Sequence, residues 1–176
     1  MSEDEKFSVD IKGYALDGAR EQELFDKQNE CVFMWTTKAG EPVGVVMCYL
    51  LARGKLWLCL TESRARVAAI RRDPRSCICI SSAGTDMRTG KAISCKGTTR
   101  VYAHDAPEVR GWFFEAFARR LHRGTNLERI ATIAADLDIP ERVVFEFTPI
   151  KSISYDGDKL AATVPGLAGG FDELFA

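Results

Sequence analysis

Apolar residues in this chain recur mostly on a period of two, in short runs separated by Gly, Pro, Asn and Asp, which predicts β-strands joined by tight turns. The longest run, residues 42–51 (PVGVVMCYLL), is apolar on both alternating sets: Val43, Val45, Met47, Tyr49 and Leu51 on one, Gly44, Val46, Cys48 and Leu50 on the other. An antiparallel strand normally wets one face, so this one is expected to be covered twice, by a barrel interior behind and a partner subunit in front. Residues 31–37 (CVFMWTT) and the turn KAGE at 38–41 make it the second half of a hairpin. Arg53-Gly54 is the next turn, and residues 55–60 return with Leu56, Leu58 and Leu60 on one face and Trp57 and Cys59 on the other. SCICIS at 76–81 is a fourth strand. Residues 92–103 form a fifth, interrupted by Gly97, where a bulge or a close approach is expected. A sixth runs over 142–157, offset at Pro149 and ending in a turn at Asp156-Gly157.

Four segments have helical spacing instead. Residues 17–29 offer Asp17 as an N-cap and put Leu24 and Phe25 on one face. RARVAAIRR at 64–72 follows Ser63, a plausible N-cap, and is stopped by Asp73-Pro74. Residues 106–121 carry an aromatic face of Trp112, Phe113, Phe114 and Phe117, and 126–137 form a second helix ended by Ile139-Pro140. Six antiparallel strands with turns this short, and helices over the ends, predict a small closed β-barrel. Neither GxGxxG nor a P-loop argues for a nucleotide-binding parallel sheet.

Length and composition fit that frame: 176 residues, 46% of them hydrophobic, with a net charge of -1, suit one globular domain with a proper core. The acidic N-terminus MSEDEKFSVD lacks an apolar stretch and is not read as a targeting signal, and no apolar run approaches a membrane span. The six cysteines lie mostly in strand-like runs, with no CxxC pair, and read as small buried hydrophobes of a reducing cytoplasm. Cys77 and Cys79 share a strand face without a third ligand in view, so no metal site is expected.

Charge alters the picture more than the total suggests. Residues 53–75 hold Arg53, Lys55, Arg64, Arg66, Arg71, Arg72 and Arg75 against only Glu62 and Asp73, whereas residues 1–30 are acidic. A local basic patch on a nearly neutral chain suits a phosphorylated small molecule better than a long polyanion. Nucleic acid is not expected as a partner, because the strands lack an exposed aromatic and basic alternation. The patch is centred where strand 55–60 passes through Thr61-Glu62-Ser63 into the basic helix, a place built to hold an anion.

The order of these parts carries a resemblance. The Arg53-Gly54 turn, the KLWLCLT strand, Ser63-Arg64, the apolar helix, RDPR at 72–75, KAISCKGTTRVY, and later VVFEFTPIKSISYDG together resemble the pyridoxamine 5′-phosphate oxidase-like family of FMN-binding split barrels. The resemblance covers roughly residues 30–157, and its strongest part is 54–74. It implies a fold that is mainly β with peripheral helices, a six-stranded antiparallel split β-barrel. An N-terminal arm and helix would occupy 1–29 and the barrel 30–157, with helices at about 107–121 and 126–137 inserted before the last strand. Residues 158–176 would form a tail lying over the surface or across a partner. Members are typically homodimers that hold FMN, or in some branches the deazaflavin F420, in a groove at the subunit interface.

Carried over by position, the resemblance puts Ser63 and Arg64 at the cofactor phosphate. Leu58, Cys59 and Thr61 fall beside the ribityl chain and phosphate, and Val45, Val46 and Met47 on the strand beside the ring. Ala65 stands where many relatives have a second basic residue, for which Arg66 would substitute. Ala92 stands where some have a ring-contacting glutamine, which Lys91 or Lys96 would replace. The substrate-phosphate signature of true pyridoxamine phosphate oxidases is missing after Tyr155. The implied activity is therefore an FMN-dependent oxidoreductase or flavin reductase acting on an unidentified small molecule, with NAD(P)H as a candidate donor. The alternatives are an F420-dependent reductase, which would need further basic contacts for a longer acidic tail, and a flavin-binding dimer without turnover. A flavin accepts and gives hydride itself, so no side chain is assigned as catalytic.

Overall fold

The computed structural model describes residues 11–88 and 90–164. Strands are β1 (Glu30–Thr36), β2 (Pro42–Cys48), β3 (Leu50–Ala52), β4 (Lys55–Thr61), β5 (Arg75–Ser81), β6 (Lys91–Tyr102) and β7 (Arg142–Asp156). Helices are α1 (Gly18–Lys27), α2 (Ala65–Arg72), α3 (Pro107–His122), α4 (Leu127–Leu137) and α5 (Gly157–Ala161), with a 3-10 turn at Ile11–Tyr14. The strands form one curled sheet in the order β2-β1-β5-β6-β7-β4-β3. The fold is the mainly-β split barrel with peripheral helices, with seven strands in place of six.

The seventh strand comes from splitting the 42–51 run. Tyr49, fully buried, separates β2 from β3, and its N–H donates to the carbonyl of Asn29 at 3.2 Å. β2 pairs with β1 at one end of the sheet, with Phe33 opposite Val45, while β3 pairs with β4 at the other, with Leu50 opposite Trp57. One residue therefore carries the chain from one edge of the curled sheet to the other and closes the barrel. Doubly apolar sequence reads as a single strand covered twice, and here it also encodes a change of neighbours.

Two compact units emerge. The larger, Asn29–Ile80 with Ser94–Ser152, contains the barrel wall. Phe33, Leu56, Leu58, Leu60, Ile78, Phe145 and Phe147 are all buried, and they come from alternate positions of β1, β4, β5 and β7, as the period of two requires. Burial of each such side chain contributes about 1.5–3 kcal/mol. On the other face of β4 and β7, Trp57 and Val144 pack with Val109, Phe113, Phe114 and Phe117 of α3. Trp57 meets Trp112 edge-on at 5.0 Å between ring centroids, and the Trp57 indole donates to the Ala52 carbonyl at 2.9 Å. Trp57 is thus a core aromatic. The Arg53-Gly54 turn has positive φ at both residues (54° and 70°), the two-residue hairpin geometry that matches strand twist. Gly97 does not break β6: a Cβ there would lie 2.1 Å from the Thr148 carbonyl oxygen, so glycine serves a close approach to β7.

The smaller unit, Met1–Gln28 with Ser81–Ile93 and Ile153–Ala176, is built around buried Leu16, Leu24, Met87 and Ile93. Asp17 caps α1 as expected, accepting from the Arg20 N–H at 3.0 Å. The expected turn at Asp156-Gly157 is the start of α5, capped by the Asp156 carboxylate. Much of the expected tail, from residue 165 on, lies outside the described residues. Among the described residues no helix is long and apolar enough to cross a membrane.

Candidate functional site

In the larger unit a cavity of about 350 Å³ opens where the ends of β2 and β4, the start of α2 and the start of β7 come together under α3 and α4. It is lined by Val46, Met47 and Cys48 of β2, by Cys59, Leu60 and Thr61 of β4, by Arg64 and Arg66, and by Arg142. Phe117, Leu121 and Leu137 supply an apolar side from the two helices. β4 and β7 set its floor, because their register places Thr61 opposite Arg142 and Cys59 opposite Val144.

Three guanidiniums line this space and no carboxylate is among the lining residues. Two nearby acids are engaged elsewhere. Glu62 takes a bidentate pair with Arg71, one arm at 3.0 Å, and Asp138 is held by Arg110. The Arg66 Nε is buried without a hydrogen-bond partner. Loss of hydration, and then repulsion from Arg64, hold the Arg66 guanidinium below its ordinary pKa, so the fold leaves its charge uncompensated. Burial pushes the Cys59 thiol above its usual range, opposed by a hydrogen bond that Arg142 Nη1 donates to its sulfur at 3.5 Å.

The start of α2 differs from expectation in a way that bears on the site. Arg64, not Ser63, occupies the N-cap position, because a turn in which the Arg64 N–H donates to the Thr61 carbonyl at 3.1 Å delays the helix. No side chain caps α2. Its first N–H groups thus have no side-chain acceptor, and with Arg64 and Arg66 beside them they favour an anion. The residues present suit a ligand with an anionic end and a flat apolar body: cations and uncapped N–H groups at the start of α2, apolar side chains from α3 and α4.

Of the residues singled out in the sequence, Arg64, Arg66, Thr61, Cys59, Val46 and Met47 come together around this cavity. Ser63 is exposed in the turn and does not line it. Leu58 is fully buried on the barrel-interior side of β4, and Val45 shares the inward-facing set with Phe33. Lys96 is exposed on β6. Lys91 belongs to the smaller unit, fully buried, its ammonium donating to the Met87 carbonyl at 2.8 Å and to Asp158 at 2.7 Å. Sequence reasoning missed Phe117, Leu121, Leu137 and Arg142. The first three look like core residues of amphipathic helices, and Arg142 stands eighty residues from the basic patch; only the β4–β7 register brings it in.

No protein-family model matches the sequence, and no curated protein matches it. Solved structures do match. A conserved hypothetical protein, Rv2991, from Mycobacterium tuberculosis is 17% identical with a TM-score of 0.71, over 85% of this chain and 90% of that one. An F420 reductase is 16% identical with a TM-score of 0.55, over 75% and 94%. A candidate pyridoxamine 5′-phosphate oxidase from Listeria innocua is 13% identical with a TM-score of 0.54, over 77% and 95%. A general stress protein and a heme storage protein also match. At these identities the likeness speaks for the backbone, and the backbone is that of the split barrels among which the pyridoxamine 5′-phosphate oxidase-like proteins are found.

Proposed function

We propose that this chain binds FMN in the cavity between β2, β4 and α2 and works as an FMN-dependent oxidoreductase on a small molecule. The observation that carries this reading is the pairing of an uncompensated, uncapped cationic end, Arg64 and Arg66 at the start of α2, with an apolar side of Phe117, Leu121 and Leu137. When bound, the flavin supplies hydride acceptance and donation. Arg64 and Arg66 bind its phosphate as a charge-assisted pair. The end of β2 offers backbone groups along the ring, and the two helices exclude water from one side. Among the described residues no His, Asp or Glu lines the cavity, and the role assigned to the lining side chains is to bind, orient and screen the flavin.

A second copy of the chain belongs to this proposal. On the outer face of β5, β1 and β2, Cys77 and Cys79, Met34 and Val32, and Val46 form a contiguous apolar surface through the register Met34–Cys77, Val32–Cys79 and Val32–Val46. Val46 is 63% exposed while also lining the cavity, so a homodimer covering this face would put the partner at the flavin. F420 is the second reading, favoured by the presence of three unneutralised arginines where one phosphate would use one or two.

The test is direct. Purified protein is expected to bind FMN with perturbed visible absorption and to sediment as a dimer. Arg64→Ala is expected to weaken FMN by about 1.5–3 kcal/mol, measured by fluorescence titration. Protein that neither FMN nor F420 stabilises thermally would remove both readings. NADPH oxidation by the loaded dimer separates a reductase from a flavin carrier.

A further inference from the structure

Arg142 is the part of the cavity that a single cofactor phosphate at α2 leaves unexplained. Its backbone is fixed from both sides: its N–H donates to the Ile139 carbonyl at 3.1 Å, and its carbonyl accepts from Arg110 Nη1 at 3.0 Å. Its side chain is not matched in the same way. A guanidinium offers five N–H donors in a planar fork. Here the one acceptor it meets is the Cys59 thiol, a weak one, and its Nε is buried without a partner. The carboxylate four residues back, Asp138, is taken by Arg110, whose other hydrogen bonds go to the Ile139 and Arg142 carbonyls. Arg110 thus does two things: it anchors the root of Arg142, and it engages the Asp138 carboxylate. The same cavity has an apolar side, Leu137, Leu121 and Phe117.

We propose that Arg142 is the binding group for a second anion, a carboxylate or phosphate on an organic framework, separate from the phosphate assigned to Arg64 and Arg66. A rigidly rooted, unmatched guanidinium in a partly desolvated space is preorganised for a planar oxyanion. The apolar side of the cavity it lines favours an anion attached to carbon skeleton over a hydrated inorganic ion. This deepens the proposed function and rests on it for the identity of the first anion only. The second anionic group comes either from the substrate, which would then be an organic acid, or from a further acidic group on the cofactor itself.

The experiment titrates the full-length protein calorimetrically with benzoate, with and without saturating FMN, and separately with FMN and F420, for wild type, Arg142→Gln and Arg142→Lys. Benzoate is expected to bind wild type, to lose at least tenfold in Arg142→Gln and at most about threefold in Arg142→Lys, while FMN changes less than threefold in either variant. If the substrate is the source, benzoate binds beside FMN and shifts its visible spectrum. If the cofactor is the source, F420 binds at least tenfold tighter than FMN, that advantage disappears in Arg142→Gln, and benzoate competes with F420 and not with FMN. The proposal is overturned if neither benzoate nor F420 depends on Arg142, or if FMN weakens as much as they do, which would assign Arg142 to the first phosphate. Should FMN fail to bind while benzoate still depends on Arg142, the cofactor reading falls and the anion site stands. FMN binding without any Arg142-dependent anion gives the reverse. Arg142→Lys keeps the charge, so a folding defect confined to Arg142→Gln still leaves a comparison to read.

Discussion

Lys91 and Arg66 are both cations drawn out of water, and the chain treats them in opposite ways. Around Lys91 the smaller unit supplies a carbonyl from Met87 and a carboxylate from Asp158, and it ties the same residue's N–H to the Ser82 hydroxyl at 3.1 Å. Around Arg66 the larger unit supplies a second arginine, a thiol-lined cavity and a buried Nε with no acceptor. Burial of a cation therefore says little about function. What marks a binding group is burial for which the protein has withheld the counter-charge, as Arg71 and Arg110 do here by engaging Glu62 and Asp138.

Three substitutions would break or sharpen this contrast. Lys91→Met removes a completed arrangement and leaves the Met87 carbonyl without its charged donor. It is expected to cost about 2–3 kcal/mol in urea unfolding, less than a fully buried pair would because Asp158 is half exposed. FMN affinity should stay within about twofold; a stable Lys91→Met protein that had lost FMN would return Lys91 to the ligands.

Cys31 handles burial in a third way, by staying neutral. Loss of hydration pushes its thiol up to about 12 from an ordinary 9.0, so the folded state favours the protonated form. Its contribution is complete below pH 9 and is lost as pH rises from 9 toward 12. Raising the pH from 8.5 to 10.5 is expected to cost wild type about 2 kcal/mol through this group. In Cys31→Ala that share of the pH-dependent loss should be missing, as read from urea midpoints at each pH.

Arg66→Met gives the smallest effect and the most pointed one. Apo stability is expected to stay level or rise by up to about 1 kcal/mol, because an unpaired charge leaves a partly desolvated place. FMN affinity is expected to fall about tenfold, or about 1.4 kcal/mol. A variant clearly less stable than wild type would make Arg66 a structural residue like Lys91.

How far sequence reached follows from the same physics. Asp17 caps its helix as read, and Trp57 lies on the face of β4 opposite Leu56, Leu58 and Leu60 as read, because capping and alternation are local. The helix after β4 began one residue late, since the turn between Thr61 and Arg64 competes with a serine cap for the same N–H groups. The 42–51 run concealed its break, because the burial that Tyr49 gains by crossing between sheet edges has the same composition as burial within one strand. Part of the cavity was visible as the Thr61–Arg66 junction, with Cys59, Val46 and Met47 implied by the resemblance. The rest, Arg142 with the α3 and α4 side chains, depends on a pairing between distant segments that no local pattern encodes.

That distant pairing also orders events in time. β1–β2 and β3–β4 are hairpins of neighbouring residues, joined at Tyr49, whereas residues 56–61 must find residues 142–147 across three helices and two strands. Contacts of such long sequence separation carry a high loop-closure cost and come late. Thr61 and Arg142 face each other only once that ladder has zipped, so the cavity is expected to form after the folding transition state. FMN should then leave the refolding rate unchanged and slow unfolding in proportion to its affinity, a chevron displaced on one limb alone.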